Sequence, residues 1–199
     1  MFLALFYALC PICLNSAAYA DEPVQPVKMV PTLKINRDLD KRTVIKPSAI
    51  PGSGNGLFAA VAIKKDEVIG ELGGRLVTAE DYPVGNFYLA SIPECAWEES
   101  DPYKFLDSKD YGGNVSRINF APKKIKGLDT HFQNAAIHQL CTYPYFIFVA
   151  TKDIEPRAEI WASYGPYYSY DKFMYIAEVR DFFCGLLRTD CSEEYSFEP

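Results

Sequence analysis

Apolar residues gather along the chain in short runs separated by polar or glycine-rich turns, a rhythm of strands more than of helices. Thr43-Val44-Ile45-Lys46 reads as a short strand. Pro51-Gly52-Ser53-Gly54-Asn55-Gly56 is a strong turn, and 57–63 is the next apolar run. A polar turn at 64–67 leads into strand-like segments at 68–72 and 75–77, with Gly73-Gly74 between them predicting a bulge or bend. Further strand candidates lie at 87–92 and 104–106. Tyr145-Phe146-Ile147-Phe148-Val149-Ala150 is continuously apolar, as a buried strand requires, and 160–163 is another such run. After Tyr170 the period changes. Phe173, Ile176, Ala177, Arg180 and Phe183 fall at helical spacing and predict one amphipathic helix over 171–187. The pattern contains no internal repeat and no low-complexity tract.

With 199 residues, the chain is long enough for one domain with a real core. Its net charge of −6 argues against direct nucleic-acid binding, which usually needs a basic face, and leaves room for a basic protein partner. The first 20 residues carry no charge, are strongly apolar from Phe2 to Leu9, and end in Ala18-Tyr19-Ala20 before Asp21-Glu22-Pro23. That is the pattern of a secretory signal peptide, although no Lys or Arg follows Met1. Pro11 and Asn15 speak against an uncleaved membrane anchor. Residues 21–42, rich in proline and charge, read as a flexible lead-in. The expectation is an exported protein with no stable membrane insertion once the signal is cleaved, or a cytoplasmic one if the signal is not real.

Cys10 and Cys13 belong to the apolar leader and lack the strand-helix context of a redox motif. Cys95, Cys141, Cys184 and Cys191 remain, and three disulfide pairings are open. No cysteine spacing reads as a zinc site, so no metal is expected. Tyrosine is frequent, 14 in all, and crowds from Tyr164 through Tyr167, Tyr168 and Tyr170 to Tyr175. Such a cluster serves as core packing or as a ring-lined pocket for an aliphatic stem with a cationic head.

Several separated motifs agree in order and spacing. Gly54-Asn55-Gly56-Leu57 is a GxG followed by apolar residues, Glu71-Leu72-Gly73-Gly74 follows a charged turn and strand, and Gly113-Asn114 leads to Arg117 and Asn119. Gln133-Asn134 precedes a strand, and Glu159-Ile160-Trp161-Ala162-Ser163-Tyr164-Gly165 closes the series. Together these motifs resemble the SET domain family of protein-lysine methyltransferases, in its PR-domain variant. The resemblance implies a mostly β fold of small curved sheets with a pseudoknot over 43–170, followed by a C-terminal helix and tail over 171–199.

It also implies a function: S-adenosylmethionine-dependent N-methylation of lysine in a protein or peptide, such as a histone tail. By the same resemblance the cofactor would meet Gly54, Asn55, Gly56 and Leu57. Asn119 would hold its amino-acid end, and Arg117 would brace that loop or meet the carboxylate. Tyr164 would be the catalytic hydroxyl, and Tyr88, Tyr167 and Tyr168 would line the lysine channel. Glu159 would simply open the last strand, and His131 and His138 receive no role. An ordinary alternative for Tyr164 is a core tyrosine with a satisfied hydroxyl, and for Asn119 a loop cap.

The sequence departs from the family at two telling positions. Phe120 stands after Asn119 where most active members carry His, and Leu72 replaces a usual Tyr. A catalytically degenerate SET-like binding module is therefore a second expectation, and an unrelated disulfide-stabilised β protein a third. An export signal on a protein that needs a cytosolic cofactor points to a secreted effector acting in another cell, on histones or other host proteins.

Overall fold

The computed structural model describes residues 31–97, 101–166, 168–192 and 195–199. The expected signal segment over 1–20, with Cys10 and Cys13, lies outside them, as does Tyr167. The strands are β1 (Thr32–Leu33), β2 (Thr43–Pro47), β3 (Asn55–Ala59), β4 (Val68–Glu71), β5 (Gly74–Thr78), β6 (Leu89–Ser91) and β7 (Tyr103–Asp107). They continue with β8 (Asn119–Phe120), β9 (Lys124–Ile125), β10 (Leu128–Asp129), β11 (Ala135–Gln139), β12 (Phe146–Ala150), β13 (Glu159–Ala162) and β14 (Phe197–Glu198). The helices are α1 (Arg37–Asp40), α2 (Asp171–Met174) and α3 (Ala177–Leu187).

Among the described residues the strands form four small sheets, ordered β1-β5-β7-β6, β11-β12-β4, β2-β3-β13-β8 and β10-β9-β14. The third positions the site. Its late strand β13 lies between β3, which it meets antiparallel, and β8, which it meets parallel through Trp161↔Asn119 and Ala162↔Phe120. Asn134 holds β13 in place. Its Nδ2 donates to the Glu159 carbonyl at 2.9 Å, and its Oδ1 accepts from the Trp161 N–H at 2.9 Å. The neighbouring Gln133 donates to the Ala121 carbonyl at 2.7 Å, so one dipeptide anchors both partners of the parallel pair.

Burial explains the strand pattern. One core gathers Leu57, Ile63, Ile69, Leu106, Phe146, Phe148 and Ile160 between the sheets. A second, aromatic core joins Phe120, Ile125 and Tyr170 to Met174, Val179 and Phe183 of the C-terminal helices. Two disulfides, Cys95–Cys141 and Cys184–Cys191, select one of the three open pairings.

The structure corrects several expected boundaries. The strand expected at 57–63 starts earlier, inside the glycine turn, and ends at Ala59, with Ile63 forming an isolated bridge to Ile154. The strand expected at 87–92 shortens to β6. The lead-in is ordered from Thr32: β1 pairs with β5, and α1 is capped by Asn36, whose side chain accepts from the Asp38 N–H. The single helix expected over 171–187 is two, because Ile176 is extended (ψ 127°) and breaks the ladder. That break lets Met174 bury on α2 while Val179 and Phe183 bury on α3.

Candidate active site

The glycine turn is the first wall of the site. Gly54 takes φ +72°, a left-handed conformation that favours glycine, and turns the chain into β3. Gly56 lies in the strand, and its lack of a Cβ has an internal cause. A Cβ there would collide with Glu159 Oε1 and come within 3.1 Å of Asn119 Nδ2. Glycine at 56 thus lets β13 and β8 close onto β3.

The second wall is the turn from Asn114 to Asn119. Asn114 ties it to the N-terminal elements, donating to the Asp40 carbonyl and to Thr43 Oγ1, both at 3.1 Å. Arg117 braces the loop: it donates to the Lys109 carbonyl at 2.6 Å, and its guanidinium stacks 4.7 Å over the Tyr88 ring. Asn119 Nδ2 donates to the Asn55 carbonyl at 3.2 Å and to Glu159 Oε1 at 3.3 Å, which joins the two walls.

Tyr164 follows β13 and completes the arrangement. Its hydroxyl donates to the Ile118 carbonyl at 2.7 Å, one residue from Asn119. Burial pushes the Tyr164 phenol far above its ordinary range, and the phenols of Tyr168, Tyr88 and Tyr170 add to the effect. Burial also raises Tyr168, with smaller contributions from Tyr170 and Tyr88. Tyr170 organises the turn after Tyr164: its hydroxyl accepts the Tyr164 N–H at 2.9 Å and donates to the Gly165 carbonyl at 2.9 Å. Phe120 packs on Tyr170 with ring centroids 4.2 Å apart, so the residue that replaces the usual His belongs to the aromatic core.

These elements enclose a cleft of about 1390 Å³. That exceeds the ~300–1,000 Å³ of an ordinary small-molecule pocket, so a cofactor and a second substrate's side chain both have room. Asn55, Arg117, Asn119, Tyr164, Tyr88 and Tyr168 all line it. Gly54, Gly56 and Leu57 do not; Leu57 is fully buried in the core, so only its backbone is near the turn. Phe173, Ile176 and Val179 close the cleft from the C-terminal side. Among the described residues, no group of His, Cys, Asp or Glu could hold a metal ion.

The wall near Ile50 and Phe120 is apolar, and Asn119 lines the cleft with no protein donor to its Oδ1 among the described residues. Two contributors were hidden in the sequence. Glu159 was visible only as the first residue of its motif, and Tyr170 only as one member of a tyrosine-rich stretch.

The SET domain family model matches residues 54–165, more than half of the chain. The chain belongs to the SET domain family, whose members generally catalyse protein-lysine methylation, and its fold is that of a lysine methyltransferase. Among solved structures, it is similar to an active polycomb repressive complex 2 in the stimulated state, at 23% identity and TM-score 0.51, covering 69% of this chain and 16% of that one. It is similar to the Chaetomium thermophilum polycomb repressive complex 2 at 23% identity and TM-score 0.50, covering 64% of this chain and 16% of that one. The methyltransferase domain of human PR domain-containing protein 2 aligns at 17% identity and TM-score 0.49, over 74% of this chain and 97% of that one. This chain therefore matches only a small part of the polycomb chains but nearly all of the PR-domain one. No curated protein matches it by sequence.

Proposed function

We propose that the protein is an S-adenosylmethionine-dependent lysine N-methyltransferase acting on a protein or peptide. One observation carries this reading: the glycine turn, Asn119 and Tyr164 border a single cleft, and the Tyr164 proton is committed to the Ile118 carbonyl. The donor, when bound, supplies an electrophilic methyl group on a sulfonium. Asn55 and Asn119, which line the cleft, would hold it, and the turn at Gly52 and Ser53 borders the same space.

The substrate amine has to arrive neutral, although free lysine has a pKa near ~10.4. Tyr88 and Tyr168 both line the cleft, and burial of the incoming side chain beside their rings would disfavour the ammonium and help release its proton to water. Because its own proton is used on Ile118, the Tyr164 oxygen meets an amine N–H as an acceptor. That contact would orient the amine within the cleft, and positioning supplies much of the rate. The raised phenol keeps Tyr164 neutral, so it orients the amine and does not act as the base.

Calorimetry with S-adenosylhomocysteine, followed by a methylation assay on a histone mixture, tests the reading. We expect binding and transfer in the wild type. Tyr164→Phe should lose transfer by about 100-fold or more while cofactor affinity is kept, in the range of positioned-hydroxyl effects. Equal transfer by that variant removes Tyr164 from the mechanism. Phe120 and Leu72, both buried, favour a second reading, a SET-like binding module without catalysis. Binding of S-adenosylhomocysteine with no transfer to any lysine substrate would select it.

The two disulfides support a life in an oxidising compartment, as expected of an exported protein. With the apolar leader they favour a secreted effector that acts on histones or other proteins of a host cell. Sequencing the N-terminus of the native protein tests this, and a protein that begins at Met1 in the cytosol removes it.

A further inference from the structure

The Glu159 carboxylate does more than open β13. It reaches back across β3 into the turn that precedes the glycines. Oε1 accepts from Ser48 Oγ and from Asn119 Nδ2, and Oε2 accepts from the Ala49 N–H at 2.9 Å. It fills the space that Gly56 leaves open, as the collision with a Cβ there shows. This carboxylate is therefore fixed by three donors on two different segments.

The consequence falls on Asn119. An amide side chain has a donating and an accepting end of nearly the same shape, and its orientation is set by its neighbours. Here Nδ2 faces the Asn55 carbonyl at 3.2 Å and Glu159 Oε1 at 3.3 Å. Both neighbours only accept, and Ser53 Oγ, 3.5 Å from Nδ2, gives its own proton to the Ile50 carbonyl. The flipped amide would set Oδ1 against two acceptors, so the observed orientation is dictated by chemistry. Oδ1 is turned away from them, on a residue that lines the cleft, with no protein donor among the described residues. An acceptor oxygen presented there selects a ligand that donates, above all a cationic amine.

We propose that Glu159 is a positioning residue: by locking the Asn119 amide it presents Oδ1 to the α-ammonium of the methyl donor's amino-acid end. The proposal rests on the proposed function and goes beyond it by assigning the affinity for one end of the donor to a residue outside the direct contacts. Glu159→Gln keeps the size of the side chain but cannot satisfy its partners. Either the glutamine Nε2 faces the Ala49 N–H, or it faces Asn119 and invites the amide to flip.

The test compares two ligands by calorimetry. S-adenosylhomocysteine carries the amino-acid end, and 5′-methylthioadenosine has the nucleoside and thioether without it. Glu159→Gln is expected to weaken the first about tenfold, as for one lost hydrogen bond to a charged group, and the second by less than about twofold. Ser48→Ala, a milder change at a half-buried position of the turn, should show the same selectivity at about threefold, and it carries the test if the glutamine variant does not fold. Equal weakening of both ligands overturns the proposal, because it marks a general loosening of the turn. Unchanged affinity for S-adenosylhomocysteine overturns it as well. If the wild type binds neither ligand, the proposal falls together with the proposed function. If it binds S-adenosylhomocysteine but methylates nothing, the enzyme reading alone falls.

Discussion

The Tyr164 hydroxyl sits where desolvation disfavours its anion, and its pKa is raised accordingly. In the proposed reaction it therefore stays protonated through ordinary pH, and the pH profile belongs to the substrate amine. The transfer rate should climb with pH toward the lysine range, with no fall below about pH 10, where a free tyrosine would ionise. A descending limb between neutrality and that pH, measured in kcat, would contradict this account of Tyr164. Tyr195 makes a different statement. Burial, assisted by Tyr175, pushes it up to about 12, while Arg180 pulls it down. Below the unfolded value of ~10 both states hold the proton, and the stabilisation is fully present. Between there and about 12 the unfolded state loses its proton first, so stability falls as pH rises. Its hydroxyl is also buried without a partner among the described residues. Tyr195→Phe should thus be neutral to stabilising by about 1 kcal/mol at neutral pH and should flatten the alkaline decline. Urea unfolding near neutrality and again at alkaline pH measures both effects.

At the level of elements, what was legible depended on length. β12 and β13 were readable because each apolar run adjoins a charged segment on one side, Lys152-Asp153 after β12 and Glu155 to Arg157 before β13. β8, two residues long, has no period to read, yet it forms the parallel pair on which the site depends. The break between α2 and α3 was equally hidden, since Ile176 continues the helical spacing while its backbone is extended. Gln133-Asn134 was quotable as a motif, but its work was not. The Asn134 side chain bridges Glu159 and Trp161 from within the interior. Asn134→Ala would strand one carbonyl and one N–H of the half-buried residues Glu159 and Trp161. We expect a loss of about 1–3 kcal/mol, with the midpoint of urea unfolding shifted and its slope unchanged. A loss within ~0.5 kcal/mol, the range of surface substitutions, would mean that β13 is held by its flanking strands alone.

Across the whole molecule the cleft draws on the glycine turn, the Asn114 to Asn119 segment, Tyr164 and the C-terminal helices. The motifs disclosed the first three because glycine, asparagine and tyrosine carry recognisable chemistry at fixed order. The C-terminal wall was not disclosed, because Phe173, Ile176 and Val179 look the same whether they face a core or a ligand. The cysteines were similarly mute, and pairing became definite only in three dimensions. Their two bridges differ sharply in the loops they close, with sequence separations of 46 and 7 residues. On chain-entropy grounds the longer loop is worth about 4 kcal/mol and the shorter about 2.5 kcal/mol. Cys184 and Cys191, however, are both buried in the aromatic core beside Phe183 and Met174, so their removal also disturbs packing. Replacing each pair with serines separates the two effects. If chain entropy dominates, the Cys95/Cys141 double variant loses more stability in urea unfolding and Cys184/Cys191 less. The reverse order would mean that the C-terminal bridge acts by packing α3 against the wall of the cleft. In that case its loss should also weaken S-adenosylhomocysteine binding, which the Cys95/Cys141 variant should leave unchanged.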